Sequence, residues 1–515
     1  MNITRRHVLA GLAGSALAKQ IEGPRPQLPP GIQPEKGPFQ GTRESLSNYQ
    51  TPEWFHDAKF GIWAHWGPQS AIEDGDWYAR NMYMAGSPQY NYHVETYGHP
   101  SKFGYKDTIP AWKAEKFDPE DLTKLYKQAG ARYFFTMGVH HDNFDLWNSK
   151  YQRWNAVNMG PKKDVVGLWR RAARAQGLKF GISEHLWITY KWFSVSHGHD
   201  PSGPLAGVAY DGANPQNFDL YVDSDEVHTK LEWTEDGIPE WWKHHWYMRI
   251  KDLVDQHEPD LLYSDGSLPF EDYGLNMIAH YYNGSARQNG GTAQNVYFSK
   301  RTRDSDKGIA TLDVERGVVE GIWPRPFQTD TCVGDWHYKR GVTYKSPKTI
   351  IDMLVDVVSR NGNLLLNFPL PSSGQLDWEE RSILAEITKW MAINGEAIHD
   401  TRPWKIFGES PAQPKAAEQS SSFNESKRKD LTAEDVRFTS KRNIIYTFLM
   451  GWPVYQTLIR PLATGTALRV GKIENVELLG SPHKMEWSQT QEGLRVILPE
   501  QRPCDYAIAF KVTIA

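Results

Sequence analysis

The stretch Leu261-Leu262-Tyr263-Ser264-Asp265-Gly266 decides the fold class of this chain. Its apolar and aromatic residues lead directly into an acid and a glycine, which is typical of a buried parallel strand that ends in a carboxylate. Such an aspartate can simply cap the next turn. In an α/β barrel, however, catalytic groups lie at the carboxyl ends of the strands, so the neighbouring segments have to decide between the two interpretations.

Apolar runs that end in polar groups recur along the chain, and helical patterns that stop at glycine or before proline separate them. This alternation is the signature of a βα barrel. The predicted strands are residues 60–67, 133–139, 178–183, 261–265, 295–298, 309–314 and 363–368. The predicted helices include residues 165–176, 241–256, 346–360 and 378–394.

The last quarter of the chain has a different sequence pattern. Short alternating segments with turn signals between them predict a small antiparallel β-sandwich. The predicted strands are residues 443–450, 455–460, 467–470, 476–479, 494–498 and 506–512. The predicted fold class is therefore α/β: a distorted, TIM-type (β/α)8-like barrel followed by a C-terminal antiparallel β-sandwich.

The N-terminus has the three parts of an export signal. Arg5-Arg6 precedes an apolar run that closes with Ala16-Leu17-Ala18, as in a twin-arginine signal with an A-x-A cleavage site. We therefore expect a periplasmic or extracellular protein. The predicted domain organisation is a signal peptide at 1–18, a Pro/Gly-rich linker at 19–44, a barrel at 45–405, and a sandwich at 406–515 with a polar, mobile loop at 411–434.

Composition narrows the classes of function. A net charge of −4 gives no basic excess for nucleic acid. The apolar run of the N-terminal signal, Val8 to Ala18, is too short to span a bilayer, and no other apolar run reaches the roughly 20 residues of a membrane helix. The 21 Trp, 24 Tyr and 20 Phe suit a protein that covers the flat faces of sugars, and they also suit a large aromatic core. The two cysteines, Cys332 and Cys504, do not form a disulfide scaffold or a zinc motif.

The polar groups at the strand ends converge in a barrel, whatever their separation in sequence. Three chemistries fit parts of this set: retaining glycoside hydrolysis by two carboxylates, metal-assisted hydrolysis with histidine and aspartate ligands, and sugar binding without catalysis. His65-Trp66 lacks the His-x-His spacing that chelates one metal, and adjacent His140 and His141 point in different directions from an extended strand. The candidate residues are His65, Trp66, His140, His141, Trp147, Glu184, His185, Tyr263, Asp265 and Glu315.

At these residues the sequence resembles the α-L-fucosidases of glycoside hydrolase family 29. The resemblance covers roughly residues 45 to 405. The motifs that carry it are residues 54–67 (WFHDAKFGIWAHWG), 140–151 (HHDNFDLWNSKY), 177–181 (GLKFG), 259–266 (PDLLYSDG), 362–367 (GNLLLN) and 394–398 (NGEAI).

The resemblance implies a retaining exo-α-L-fucosidase that acts on fucosylated glycans without a metal or organic cofactor. By this resemblance Asp265 is the nucleophile and Glu315 the acid/base, with Glu320 and Glu271 as reserves. The predicted sugar-binding residues are His65, Trp66, His140, His141, Trp147, Glu184, His185 and Tyr263, with Trp66 or Trp147 as a wall for the fucose methyl group.

Overall fold

A computed structural model describes residues 29, 31–32, 35–224, 226–266, 268–300, 304–305, 307–411, 423–428 and 430–515. The predicted signal peptide and residues 412–422 of the predicted loop lie outside the described residues. Within the described ranges, no helix is long and apolar enough to cross a membrane.

Eight parallel strands close into a barrel, which confirms the predicted fold class. Each strand pairs with the next, and the eighth pairs with the first. The strands are β1 Phe60–Ala64, β2 Tyr133–Val139, β3 Lys179–Glu184, β4 Leu261–Ser264, β5 Val296–Ser299, β6 Thr311–Asp313, β7 Phe327–Cys332 and β8 Gly362–Asn367.

Aromatic side chains and glycines together fill the barrel interior. Trp63, Phe135 and Tyr263 belong to one buried cluster. Gly61 has to be glycine because a Cβ there would lie 2.2 Å from the ring of Tyr133. Large rings from one strand thus occupy the space that glycine leaves on the next, so the barrel is a packed core rather than a pore.

Helices cover the barrel, and their distribution is uneven. None lies in residues 314–326, between β6 and β7, so the barrel is distorted there, as predicted. The longer helices are Pro88–Tyr97, Pro119–Gln128, Val165–Ala175, Glu240–His257, Asp272–Gln288, Pro347–Ser359 and Trp378–Asn394. The shorter ones are Arg43–Leu46, Glu53–Ala58, Tyr78–Asn81, Tyr105–Thr108, Thr189–Trp192 and Phe218–Tyr221.

Two antiparallel sheets follow the barrel and share one core, which makes them a sandwich. Their orders are β13-β16-β11-β10-β9 and β12-β15-β14. Residues 467–470 form a turn and not the predicted strand, since the chain passes through positive φ at Gly465, Arg469 and Gly471. The strands are β9 Arg402–Glu409, β10 Val436–Lys441, β11 Ile444–Leu449, β12 Gln456–Ile459, β13 Ile473–Leu478, β14 Glu486–Gln489, β15 Leu494–Ile497 and β16 Ile508–Ile514.

A buried ion pair ties the sandwich to the barrel. Arg437 on β10 donates to Asp356, which lies on the helix Pro347–Ser359, at 2.6 Å. Arg360 and Arg428 contact the same carboxylate. Although burial raises the pKa of Asp356, the three guanidinium groups outweigh it and hold that pKa well below its usual range. The two parts therefore meet at a permanently charged contact.

Candidate active site

Two acids and one lysine meet at the carboxyl ends of the strands. The Lys300 Nζ lies 2.5 Å from Asp265 Oδ1 and 2.5 Å from Glu315 Oε2. All three side chains are at most 16% exposed. Asp265 follows β4, Lys300 follows β5, and Glu315 lies two residues after β6, so three consecutive strands supply the cluster. One ammonium group thus bridges both carboxylates.

Charge and burial give the two acids different proton affinities. Burial raises the pKa of Asp265, but the Lys300 charge and a hydrogen bond from His141 outweigh it and lower that pKa well below its usual range. Burial and the charge of Asp265 raise the pKa of Glu315, although Lys300 opposes them. Lys300 itself stays protonated, because the two carboxylates raise its pKa against the effect of burial. The site therefore pairs an ionised acid with one that keeps its proton longer.

The backbone around Asp265 fixes its direction. The Asp265 N–H donates to the Glu184 carbonyl at 3.0 Å, and the Lys300 N–H donates to the Gly266 carbonyl at 3.1 Å. Gly266 has a φ of +91°, and a Cβ there would lie 3.1 Å from the Trp187 indole nitrogen. Position 266 therefore requires glycine for two reasons, the left-handed backbone and the close approach of an aromatic ring.

A second set of buried acids lies below the cluster. Asp313 accepts a hydrogen bond from Gln328 at 2.8 Å, and the Tyr263 hydroxyl lies 3.4 Å from Asp330. Burial raises the pKa of Asp313 to about 7. Burial and the charge of Asp313 raise the pKa of Asp330 well above its usual range. These two acids, which form the floor of the site, therefore hold a proton at neutral pH. Tyr263 belongs to this floor rather than to the pocket wall.

Histidines form the other side of the site. His141 donates from Nδ1 to the His185 carbonyl and points Nε2 at Asp265 Oδ2, 3.4 Å away. His185 Nδ1 lies 3.8 Å from the same oxygen. His140 accepts from the Gln69 amide at Nδ1, so its Nε2–H points toward the pocket. The ring of His65 lies 5.0 Å from that of His140, between centroids.

The imidazoles of His65, His140 and His185 are neutral. Burial lowers the pKa of His185 to about 3, and burial with repulsion from neighbouring histidines lowers the pKa of His65 and His140 well below the usual range. A neutral imidazole has one N–H donor and one acceptor. His65 Nδ1 and His185 Nε2 are buried without a hydrogen-bond partner among the described residues. Such orphaned groups suit a ligand rich in hydroxyls.

Two residues that the sequence analysis did not single out complete the histidine side. Asp76 accepts from His337 Nδ1 at 2.6 Å, and the His337 ring lies 4.5 Å from that of His65. Both come from long loops, where no strand periodicity marks them. In the sequence, the pairs Asp76-Trp77 and Trp336-His337 each combine a polar residue with an aromatic one. This pairing was the available indication that they belong to a site.

The histidine side also has the donors for a metal ion. Possible ligand atoms of His65, Asp76, His140 and His337 lie within 4.8 Å of one another. The set His140, His141 and His185 meets the same limit. In the first set, however, Asp76 is already bonded to His337 and His140 to Gln69. The acids Asp265 and Glu315 belong to neither set and face Lys300.

The structure places two of the predicted pocket residues elsewhere. Trp66 donates to the Pro371 carbonyl and packs on Trp112, away from the histidines. Trp147 donates to Asp252 on the helix Glu240–His257 and is buried outside the barrel. A residue that follows a strand end by one or several positions can turn outward, and the sequence does not show which way.

Glu184 also lies behind the pocket. Its Oε2 accepts from the Leu186 N–H and from the Trp246 indole, and its side chain is fully buried. Its backbone carbonyl accepts from the Asp265 N–H. Glu184 therefore helps to hold the backbone of Asp265.

The structure separates the three candidate acid/base residues. Glu271 is about half exposed and binds Arg43 at 2.7 Å, and Glu320 is exposed. Glu315 is the one of the three that shares Lys300 with Asp265.

The segment 423–428 of the predicted mobile loop packs on the barrel beside Glu315. The Phe423 N–H donates to the Glu315 carbonyl at 2.8 Å, and Glu425 binds Arg316 at 2.9 Å. Glu425 also accepts from Thr331 on β7 and lies 3.1 Å from Lys345. The described part of this loop therefore braces the backbone that carries Glu315.

Comparisons with known proteins relate both parts of the chain to one family. The model of the alpha-L-fucosidase family matches residues 30–396, and that of the alpha-L-fucosidase C-terminal domain matches residues 428–513. The tissue alpha-L-fucosidase of Bos taurus is 28% identical over 484 residues, which cover 91% of this chain and 89% of the relative. The plasma alpha-L-fucosidase of Homo sapiens is 27% identical over 495 residues, or 92% of each chain.

Solved structures share the fold. The alpha-fucosidase of Thermotoga maritima superposes with a TM-score of 0.69 at 23% identity, over 92% of this chain and 100% of the other. An alpha-L-fucosidase from Bacteroides thetaiotaomicron gives a TM-score of 0.62 at 18% identity, over 94% and 98%.

Proposed function

The chain belongs to the α-L-fucosidase family of glycoside hydrolases, and from this premise we propose that it releases terminal α-L-fucosyl groups from glycans by a retaining double displacement. Asp265 is the nucleophile, Glu315 the acid/base and Lys300 the charge that links them. The substrate is a fucosylated glycan or oligosaccharide.

The separation of the two acids carries the proposal. Because Lys300 Nζ lies 2.5 Å from an oxygen of each, those two oxygens are at most 5.0 Å apart, twice the single distance. Retaining glycosidases place their carboxyl groups about 5 to 5.5 Å apart, whereas inverting enzymes need about 6.5 to 9.5 Å to admit a water molecule. The geometry favours retention.

The first half-reaction joins the sugar to Asp265. A carboxylate oxygen of Asp265 attacks the anomeric carbon as the bond to the leaving oxygen breaks, and Glu315 gives its proton to that oxygen. In the second half-reaction Glu315 takes a proton from water, whose oxygen attacks the same carbon and releases Asp265. The two inversions give net retention.

Lys300 lowers the pKa of both acids. Its fixed charge keeps Asp265 ionised in a buried site, where a lone carboxylate would take up a proton. When Asp265 becomes an ester it loses its charge, and its effect in raising the pKa of Glu315 disappears. Glu315 then holds its proton less tightly, as its change from acid to base requires.

The histidines bind the hydroxyl groups of the sugar. His65, His140, His141 and His185 place ring nitrogens around the oxygens of Asp265 and toward the pocket. Since the neutral imidazoles of His65, His140 and His185 each donate at one nitrogen and accept at the other, neighbouring rings can satisfy a hydroxyl in both of its roles.

Two other functions compete with this proposal. A metallohydrolase would use the histidine and Asp76 donors. A non-catalytic sugar-binding protein would use the same histidines and rings but would have no need for a second acid beside Asp265. The Lys300 bridge between two carboxylates favours hydrolysis by an acid pair over both.

We also propose that the enzyme is exported to the periplasm or outside the cell. The support is the sequence alone: Arg5-Arg6, the apolar run that follows and Ala16-Leu17-Ala18.

The stereochemistry of the reaction tests the mechanism. We expect NMR of an aryl α-L-fucoside digest to show the α-anomer of fucose before mutarotation, and aryl galactosides and N-acetylglucosaminides to react poorly. The rate should not change with a chelator. First release of the β-anomer would overturn retention, and loss of activity that added metal restores would favour the metallohydrolase.

Azide separates the roles of the two acids. Asp265→Ala should lose roughly 10⁴-fold or more in kcat, and azide should partly restore turnover with a β-fucosyl azide product, since it attacks in place of the carboxylate. Glu315→Ala should still form the fucosyl-enzyme from an activated aryl fucoside, and azide should give the α-azide. The exposed Glu320→Ala is the control and should behave as the wild type. An α-azide from Asp265→Ala would move the nucleophile elsewhere.

Replacing Lys300 tests its effect on both acids. Lys300→Met removes the charge that lowers the pKa of Asp265 and of Glu315, so both pKa values should rise. The acidic limb of the kcat/KM profile, which reports ionisation of the nucleophile, and the alkaline limb, which reports loss of the acid's proton, should both move to higher pH. We also expect kcat/KM at the wild-type optimum to fall roughly 10²-fold or more. An unshifted profile would contradict this role.

The export signal can be tested in a Gram-negative bacterial host. The wild type should appear in the periplasm with Lys19 as its first residue. The double variant Arg5→Lys/Arg6→Lys should stay in the cytoplasm at precursor length, while Arg25→Lys in the proline-rich segment should be exported normally. Export of the double variant at the wild-type level would show that the arginine pair is not the signal.

A further inference from the structure

We propose that Trp233 forms a binding platform for the sugar residue to which the fucosyl group is attached, on the leaving-group side of the scissile bond. This inference rests on the proposed function, because it names the part of the substrate that the catalytic pocket does not hold. Trp233 would stack its indole face on the C–H face of a pyranose ring.

Trp233 is exposed in an unusual place. Its side chain is 51% exposed, whereas most large aromatic residues of the described ranges are buried. Its ring lies 5.8 Å from that of Trp77 and 6.0 Å from that of Trp187, between centroids. It also lies 6.5 Å from the ring of His141. The exposed indole is therefore the outer end of an aromatic row.

The inner end of that row touches the catalytic group. Trp187 packs over Gly266, the residue that follows the nucleophile. His141 contacts both the row and Asp265, with Nε2 3.4 Å from the carboxylate. A surface of rings thus leads from the nucleophile to solvent.

The loop that carries Trp233 is anchored on both sides. Before it, the Arg80 guanidinium donates to the carbonyl groups of His228 and Thr229. After it, Lys191 donates to the Thr234 hydroxyl at 3.1 Å, and Glu235 accepts from the Phe270 N–H at 2.9 Å. An indole held in this way loses little conformational entropy when a ligand stacks on it.

The chemistry of the buried pocket and that of Trp233 indicate which sugar each of them binds. The buried pocket presents acids and histidines, which suit the hydroxyl groups of the fucosyl ring. Trp233 offers a flat apolar face that is half in water, which suits a ring with a C–H face toward the protein and hydroxyls toward solvent. The occupant is therefore a neutral hexose or N-acetylhexosamine of the glycan and not the fucosyl group.

Two substrates with different leaving groups test the platform. In α-L-fucosyl fluoride the leaving group is a single atom, which cannot reach Trp233, while a fucosyl-lactose trisaccharide places a pyranose there. For Trp233→Ala we expect kcat/KM on the trisaccharide to fall roughly tenfold and kcat/KM on the fluoride to stay within about twofold. Trp233→Phe should keep most of the trisaccharide activity, because it keeps an aromatic face.

Controls separate folding and pocket effects from the platform. Trp378→Ala removes another exposed tryptophan, 76% exposed on the helix Trp378–Asn394, and should change neither substrate. Free fucose should inhibit the wild type and Trp233→Ala equally. Weaker inhibition by fucose, or an equal loss on both substrates, would place Trp233 in the fucosyl pocket and overturn the platform, as would unchanged trisaccharide kinetics.

A binding measurement keeps the two proposals apart. Lactose alone should bind the wild type in a calorimetric titration and bind Trp233→Ala at least about fivefold more weakly. If the wild type cleaves neither substrate yet shows this difference, the proposed hydrolysis fails and the platform stands. If it cleaves both and lactose binding is the same in the two proteins, the platform fails and the hydrolysis stands.

Discussion

One ammonium group between two carboxylates is the interaction on which the rest of the site depends. Lys300 lies within 2.5 Å of both Asp265 and Glu315 in a region nearly closed to solvent. Two buried acids at that separation would otherwise share a proton, because like charges raise each other's pKa. The lysine allows one acid to stay ionised while the other stays protonated. His65, His140 and His185 on the opposite side are neutral and add no competing positive charge.

Much of the fold follows from the sequence because most barrel strands are apolar runs that end in a polar residue. β7 was not predicted because its inward residues are polar: Gln328 contacts Tyr133, and Asp330 contacts Tyr263. A strand whose interior face is amide and carboxylate has no hydrophobic pattern, so the segment Phe327–Cys332 resembles a loop. Its polarity becomes intelligible only when the buried acids of β6 are in place beside it.

The candidate site shows the same limit. Asp265 and the pair His140-His141 could be predicted because each directly follows an apolar strand. Lys300 could not, because it stands in a basic run, Ser299 to Arg303, that looks like a solvated turn. Trp66 also follows a strand end, yet its indole turns toward Pro371, since side-chain direction beyond the strand depends on the packing of the loop. The convergence of residues at the strand ends can be predicted from the order of the strands, but the direction of each side chain cannot.

The contacts of residues 423–428 change how the C-terminal part of the chain should be regarded. A stretch that connects two folding units usually serves as a tether, and either unit could then be exchanged. Here the connecting segment contacts the loop that carries Glu315 through Phe423 and Glu425. A barrel transplanted without these contacts would keep Asp265 in place but leave Glu315 poorly aimed, so modular recombination within such enzymes has to preserve the junction as well as the modules.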